Sequence, residues 1–135
     1  MTRVHRLDHE CRDEVFARLA RDLAVRPDVA FAYVFGSFLQ SDGFRDIDVG
    51  VWMTEGANRF ADLELAGTLS RAAGFPVDVR LANHASLSFL FHILRGRLLI
   101  VNDDALLAGL IERTARLYHD QAPLVRQSTR DAFAA

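Results

Sequence analysis

Apolar residues recur at helical spacing between positions 8 and 24, where Val15, Phe16, Leu19, Ala20 and Leu23 share one stripe. The stripe predicts an amphipathic helix, and Pro27 bars it from continuing. The period then changes. VAFAYVF, 29–35, is a continuous run of valine, alanine and aromatics between Pro-Asp and Gly-Ser, the pattern of a buried strand. DIDVGVWM, 46–53, alternates: Asp46, Asp48, Gly50 and Trp52 fall on one face, Ile47, Val49, Val51 and Met53 on the other. The apolar face is suited to carry a layer of helices.

Further along, Asn58 is placed to cap a helix over about 59–73 that Gly74 and Pro76 end. PVDVRL, 76–81, is another alternating strand, with Val77, Val79 and Leu81 one way and Asp78 and Arg80 the other. SLSFLFHILRG, 86–96, is apolar nearly all round and predicts a buried helix stopped by Gly96. RLLIV has the length of a fourth strand. The stripe Leu106, Leu107, Leu110, Ile111, Leu117 and Tyr118 then marks a last helix over about 104–120, capped by Asn-Asp-Asp at 102–104, with Pro123 to break or kink it. There is no repeat, low-complexity tract or linker. The order helix, strand, strand, helix, strand, helix, strand, helix predicts one α/β (α+β) domain over 1–135, a small mixed sheet with helices mainly on one face. Its core spans about 29–101.

Composition narrows the function classes. Half of the 135 residues are hydrophobic, enough for one core and too few for two domains. The net charge is −2, and all 16 basic residues are arginine. They form no block, so the footprint of a direct nucleic-acid binder is missing. Cys11 is the single cysteine, which excludes an internal disulfide and fits a reducing compartment. Arg3, Arg6 and Asp8 interrupt any N-terminal apolar run, and no stretch reaches membrane-spanning length. A soluble cytoplasmic domain without a membrane partner is the expectation.

The chemistry concentrates in FGSFLQSDGFRDIDVGV, 35–51. Asp46 and Asp48 project to the same side, with backbones roughly 7 Å apart. Sheltered like charges require compensation by a proton, an arginine or a divalent cation, and the cation supplies most because it takes several oxygen ligands. Asp78 also lies opposite an apolar face; if its strand neighbours the first, three carboxylates converge, as for in-line displacement at phosphorus with Mg²⁺. Gly36 permits a sharp exit from the strand. Ser37 then starts a short turn through about Gln40 whose amides suit a triphosphate.

With VDVRL downstream, these residues resemble the signature of the nucleotidyltransferase superfamily of the DNA polymerase β fold: Gly-Ser, a spacer, Asp-x-Asp, and a third acidic residue on a later strand. The small size points to the minimal nucleotidyltransferases, and the stretch SLSFLFHILRGRLLIVNDDALLAGLIERTARLYHD is similar to their downstream region. The resemblance covers about 29–125. It implies a Mg²⁺-dependent enzyme using ATP, with Gly36 and Ser37 on the phosphates and Asp46 and Asp48 on the metal. Asp78 would complete the metal site or act as base toward the acceptor hydroxyl. Arg45 is open to two roles, binding phosphate or neutralising Asp46. Minimal members pair with HEPN-domain ribonuclease toxins and act as antitoxins by transferring AMP to a toxin tyrosine. A non-catalytic antitoxin that masks its partner, or a transferase acting on an aminoglycoside-like small molecule, are the alternatives. With most of the chain used for strands and supporting helices, little remains for a deep second pocket, so the acceptor is expected on a partner's surface, within a homo- or hetero-oligomer.

Other residues carry weaker signals. His5 and His9 have helical metal-ligand spacing but no evident third ligand. His84 reads as a loop residue, His92 as a core-edge residue and Cys11 as unreactive. Trp52 falls on the aspartate face, where it either lines a pocket or closes the sheet end.

Overall fold

The computed structural model describes residues 4–54 and 60–120. A two-residue strand β1 (His5–Arg6) precedes helix α1 (His9–Ala24), whose N-cap Asp8 accepts from the Cys11 amide at 2.8 Å. β2 (Val29–Phe35) runs into the short turn α2 (Ser37–Gln40) and the two-residue β3 (Gly43–Phe44), and β4 (Ile47–Met53) returns. After α3 (Ala61–Ala73) come β5 (Val77–Leu81), a 3₁₀ turn (Ala82–His84), α4 (Leu87–Leu94), β6 (Arg97–Val101) and α5 (Asp104–Asp120). The larger sheet has the order β5-β4-β2-β6, parallel between β4 and β5 and antiparallel elsewhere.

The alternation anticipated in β4 and β5 builds the two sides of this sheet. Ile47, Val49, Val51, Met53, Val77 and Val79 join Leu19 and Leu23 of α1 and Leu65 and Leu69 of α3 in the main core. Every residue of central β2 is buried, so it serves both faces. Its Phe31, Tyr33 and Phe35 meet Leu90, Ile93, Leu107 and Leu110 of α4 and α5 on the second side. Among the described residues those two helices cover that side only in part. Among the described residues, no helix is long and apolar enough to cross a membrane.

Several local expectations change. Asp46 lies just ahead of β4 rather than within it. The helix at 86–96 is shorter than its apolar run and is not buried all round. Only Leu90 and Ile93 are buried, because α4 lies across an open sheet with one side to solvent. Ile93 reaches the sheet over Gly50, where a Cβ would meet its Cγ2 at 2.6 Å. In α5 the expected stripe is narrower: Ile111 and Leu117 are exposed, while Thr114 is buried. Asp103 caps α5 by accepting from the Leu106 amide at 3.0 Å. The anticipated cap Asn58 and the break at Pro123 lie outside the described residues. The β1–β3 ladder was not anticipated, because two residues carry no period; only the pairing of His5 with Phe44 and Arg6 with Gly43 defines it.

Candidate functional site

The antiparallel pairing of β2 and β4 sets Phe35 opposite Asp48, so the chain leaves β2 at Gly36 directly beside that carboxylate. Gly36 has φ 82° and ψ −153°, a backbone that a residue with a Cβ rarely adopts. A Cβ there would also lie 2.6 Å from Asp48 Oδ2. The Gly-Ser turn and the second aspartate of the motif are thus in van der Waals contact, although twelve positions of sequence separate them. Ser37, which is exposed, follows as the first residue of α2. Gly36→Ala is expected to destabilise the fold by about 1–3 kcal/mol through the backbone alone. In thermal melts the loss should shrink in an Asp48→Ala background, with a coupling on the order of 1 kcal/mol.

The parallel pairing of β4 and β5 places Asp48 in register with Asp78. Asp46 stands two residues upstream and is half-buried. Asp48 and Asp78 are therefore neighbours across the sheet, and the three carboxylates influence one another electrostatically. Asp48 is pushed up to about 6, first by burial and then by the charges of Asp46 and Asp78, with Arg80 pulling the other way. Arg80 donates through Nε to Asp78 Oδ2 at 3.2 Å, a contact that follows from their shared face of β5. Among the described residues no three His, Cys, Asp or Glu side chains lie close enough together to hold an ion as they stand. Asp78 is instead paired with Arg80. The donor set nonetheless fits a hard divalent cation: three carboxylates are oxygen ligands, and Asp48 already bears the cost of uncompensated negative charge. Arg45 is exposed and takes part in none of the ion pairs found among the described residues, so it does not neutralise Asp46 by direct pairing.

Beside Asp78 the uncovered sheet face becomes a groove of about 1540 Å³, lined among others by Trp52, Arg80, His84, Ser86 and Phe89. This groove is open rather than deep, and with Asp78 in its wall it belongs to the same site rather than forming a second one. The space comes from leaving the sheet face open rather than from added chain. Trp52 is half-buried, stacked on Phe31 at 6.0 Å between ring centroids, and so packs on one side and lines the groove on the other. Asn83 holds the groove floor to the end of β4: its side chain accepts from the Met53 amide at 2.9 Å and donates to the Met53 carbonyl at 2.8 Å. Elsewhere, His5 packs its ring against Phe44 and Phe75. Cys11 is exposed, and its hydrogen bond with Asp8 pushes the thiol up, away from reactivity.

Comparison with known proteins agrees with this geometry. The family described as "Polymerase beta, Nucleotidyltransferase" matches residues 18–105. No curated protein sequence matches significantly. Among solved structures, a chain of a toxin–antitoxin complex with AMP-PNP is 26% identical with a TM-score of 0.60, over 92% of this chain and 98% of that one. A complex of a tri-AMPylated HEPN toxin from Shewanella oneidensis with its MNT antitoxin contains a chain 26% identical, with a TM-score of 0.59, over 96% of this chain and 100% of that one. A chain of a variant MntA–HpeT toxin–antitoxin complex is 27% identical, with a TM-score of 0.59, over 87% and 94% respectively. With the family match spanning the Gly36–Ser37 turn, the Asp46/Asp48 pair and Asp78, the chain belongs to the polymerase beta nucleotidyltransferase family.

Proposed function

We propose that this protein is an antitoxin-type nucleotidyltransferase that moves AMP from ATP to a hydroxyl, a tyrosine, of a HEPN ribonuclease toxin. The observation that carries the reading is the in-register pair Asp48 and Asp78, with Asp48 raised to about 6, directly beside the positive-φ turn at Gly36. The neighbours support the partner class, since they include an AMP-PNP complex and an AMPylated HEPN toxin.

In this reading Gly36 and Ser37 receive the nucleotide phosphates, with Arg45 at the rim. Asp46 and Asp48 hold Mg²⁺, and Asp78 completes that site or takes the acceptor's proton. When bound, the metal supplies positive charge to the phosphate oxygens and to the departing pyrophosphate. The acceptor oxygen bonds to the α-phosphorus as the bond to the pyrophosphate oxygen breaks, and the hydroxyl proton passes to a carboxylate. Asp78 suits that last role, because it stands in the wall of the groove through which a protruding side chain would approach. The groove's mixed lining of Trp52, Phe89, His84 and Arg80 suits an aromatic ring bearing a hydroxyl.

Incubation with labelled ATP, Mg²⁺ and the HEPN partner is expected to put label on the partner, and to leave it unlabelled with Asp46→Asn. Tight association without label, unchanged by that substitution, would instead identify a masking antitoxin. Label appearing only on an added aminoglycoside would identify a small-molecule transferase.

A further inference from the structure

The loop between β2 and β4 carries no basic residue from Gly36 through Phe44, yet a guanidinium sits beneath it. Arg12, at the end of the first turn of α1, donates to three carbonyls of this loop: Phe38 through Nη1, and Ser41 at 3.0 Å and Asp42 at 2.7 Å through Nη2. Its Nε donates to the Leu7 carbonyl at 3.1 Å. The planar group also lies over two rings of the loop, 4.9 Å from the centroid of Phe38 and 5.4 Å from that of Phe44. It forms no ion pair among the described residues, so its charge is held by backbone dipoles and ring faces.

We infer that Arg12 is a positioning residue for nucleotide binding, fixing from α1 the turn that follows Gly36. The inference rests on the reading that this turn receives the phosphates. In a helical turn carbonyls and amides point to opposite ends. The Phe38 carbonyl belongs to that turn and those of Ser41 and Asp42 to the extended segment after it, so one rigid fork ties the turn to the segment that follows and fixes where the amides of Ser37 and Phe38 aim. The rest of the loop is tied to the same N-terminal segment. β3 pairs with β1, and Phe38 and Phe44 are buried edge-to-face at 4.7 Å between centroids. The cradle is thus built on the start of α1, which contains none of the motif residues. Lysine cannot substitute, because a single ammonium lacks the fork that spans three separated acceptors.

The test is calorimetric titration of the intact chain with AMP-PNP and Mg²⁺, together with hydrogen exchange of amides 37–42. Arg12→Gln and Arg12→Lys are each expected to weaken the nucleotide Kd about tenfold at unchanged stoichiometry, with faster exchange confined to that loop. A merely structural role would lower the number of competent molecules and leave Kd unchanged, and that outcome overturns the inference. Equal Kd and equal exchange in both variants overturns it as well. If Arg12→Gln fails to fold, Arg12→Lys, which keeps the stem and the charge, decides alone. If the wild type binds no AMP-PNP, the phosphate-site reading falls and the inference with it; wild-type binding that Ser37→Ala weakens but Arg12→Lys does not removes the inference alone.

Discussion

At pH 7.5, Asp48→Asn is expected to melt above the wild type while losing AMP transfer about a thousandfold or more. The two effects share one cause. In the unfolded chain this carboxyl loses its proton near 3.8, but in the folded protein only near 6, because burial and the charges of Asp46 and Asp78 oppose ionisation. Its contribution to stability is complete below pH 4 and is lost as pH rises through 6. Asparagine keeps the shape and cannot ionise, so the variant escapes that loss. The stability gap should open between pH 4 and 6, stay flat above 7, and amount to on the order of 1 kcal/mol once solvent screening of a partly exposed group is allowed for. Added Mg²⁺ should narrow it by stabilising the wild type alone. Under the proposed function, the transfer loss would reflect removal of a charge that acts on the reacting phosphate, about 4 kcal/mol of barrier for a thousandfold change. Melts across pH 4–8 with and without Mg²⁺, beside the transfer assay, check both. A variant that melts lower at pH 7.5, or a gap independent of pH, would remove the carboxylate cluster from the account.

Gly96→Ala should produce the largest loss of stability. Gly96 lies between the end of α4 and the start of β6, and a Cβ there would sit 2.1 Å from the Val34 carbonyl oxygen and 3.1 Å from that of Ile93. The first atom belongs to the backbone of the fully buried central strand, so it cannot swing aside as a side-chain tip could. Relief requires β6 to pull away from β2, whose pairing includes Val34 with Arg97. The expected cost is about 3 kcal/mol or more, which for a chain of this size lowers Tm by roughly 10 °C or more. Gly109→Ala is the control: nothing lies within 4 Å of its Cβ position, and it is interior to α5. It should be neutral or stabilising by up to about 1 kcal/mol. Equal thermal midpoints for the two variants would mean that the sheet yields at Gly96.

What could be read from the chain was periodic or local. Alternation in β4 and β5 located Asp48, Asp78 and the apolar faces because each strand keeps one side against the helices and the other side partly open. The Gly-Ser turn was legible because so few residues accept its backbone. The ion pair between Arg80 and Asp78 was within reach, since alternation puts the two on one face of β5. Arg12 was not legible. Its partners lie 26 to 30 positions downstream, and their carbonyls have no side-chain identity. The exposed side of α4 was not legible, because apolar composition records how much a helix could bury, whereas here only Leu90 and Ile93 are buried, and Phe89 and His92 meet Phe35 while staying partly or fully exposed.

The start of β5 is pinned twice: the Ile47 amide donates to the Pro76 carbonyl at 2.9 Å, and the Val77 amide to Ser70 Oγ at 2.9 Å. Because neighbouring positions on a strand look in opposite directions, sliding β5 by a single step would send Asp78 into the oily layer and Val79 out to water. Spacing between the two acidic strands therefore behaves as a parity condition. A longer or shorter connection that keeps both pins would leave Asp78 beside Asp48, whereas an odd slip at the pins would part the two carboxylates in a single step, with no graded intermediate.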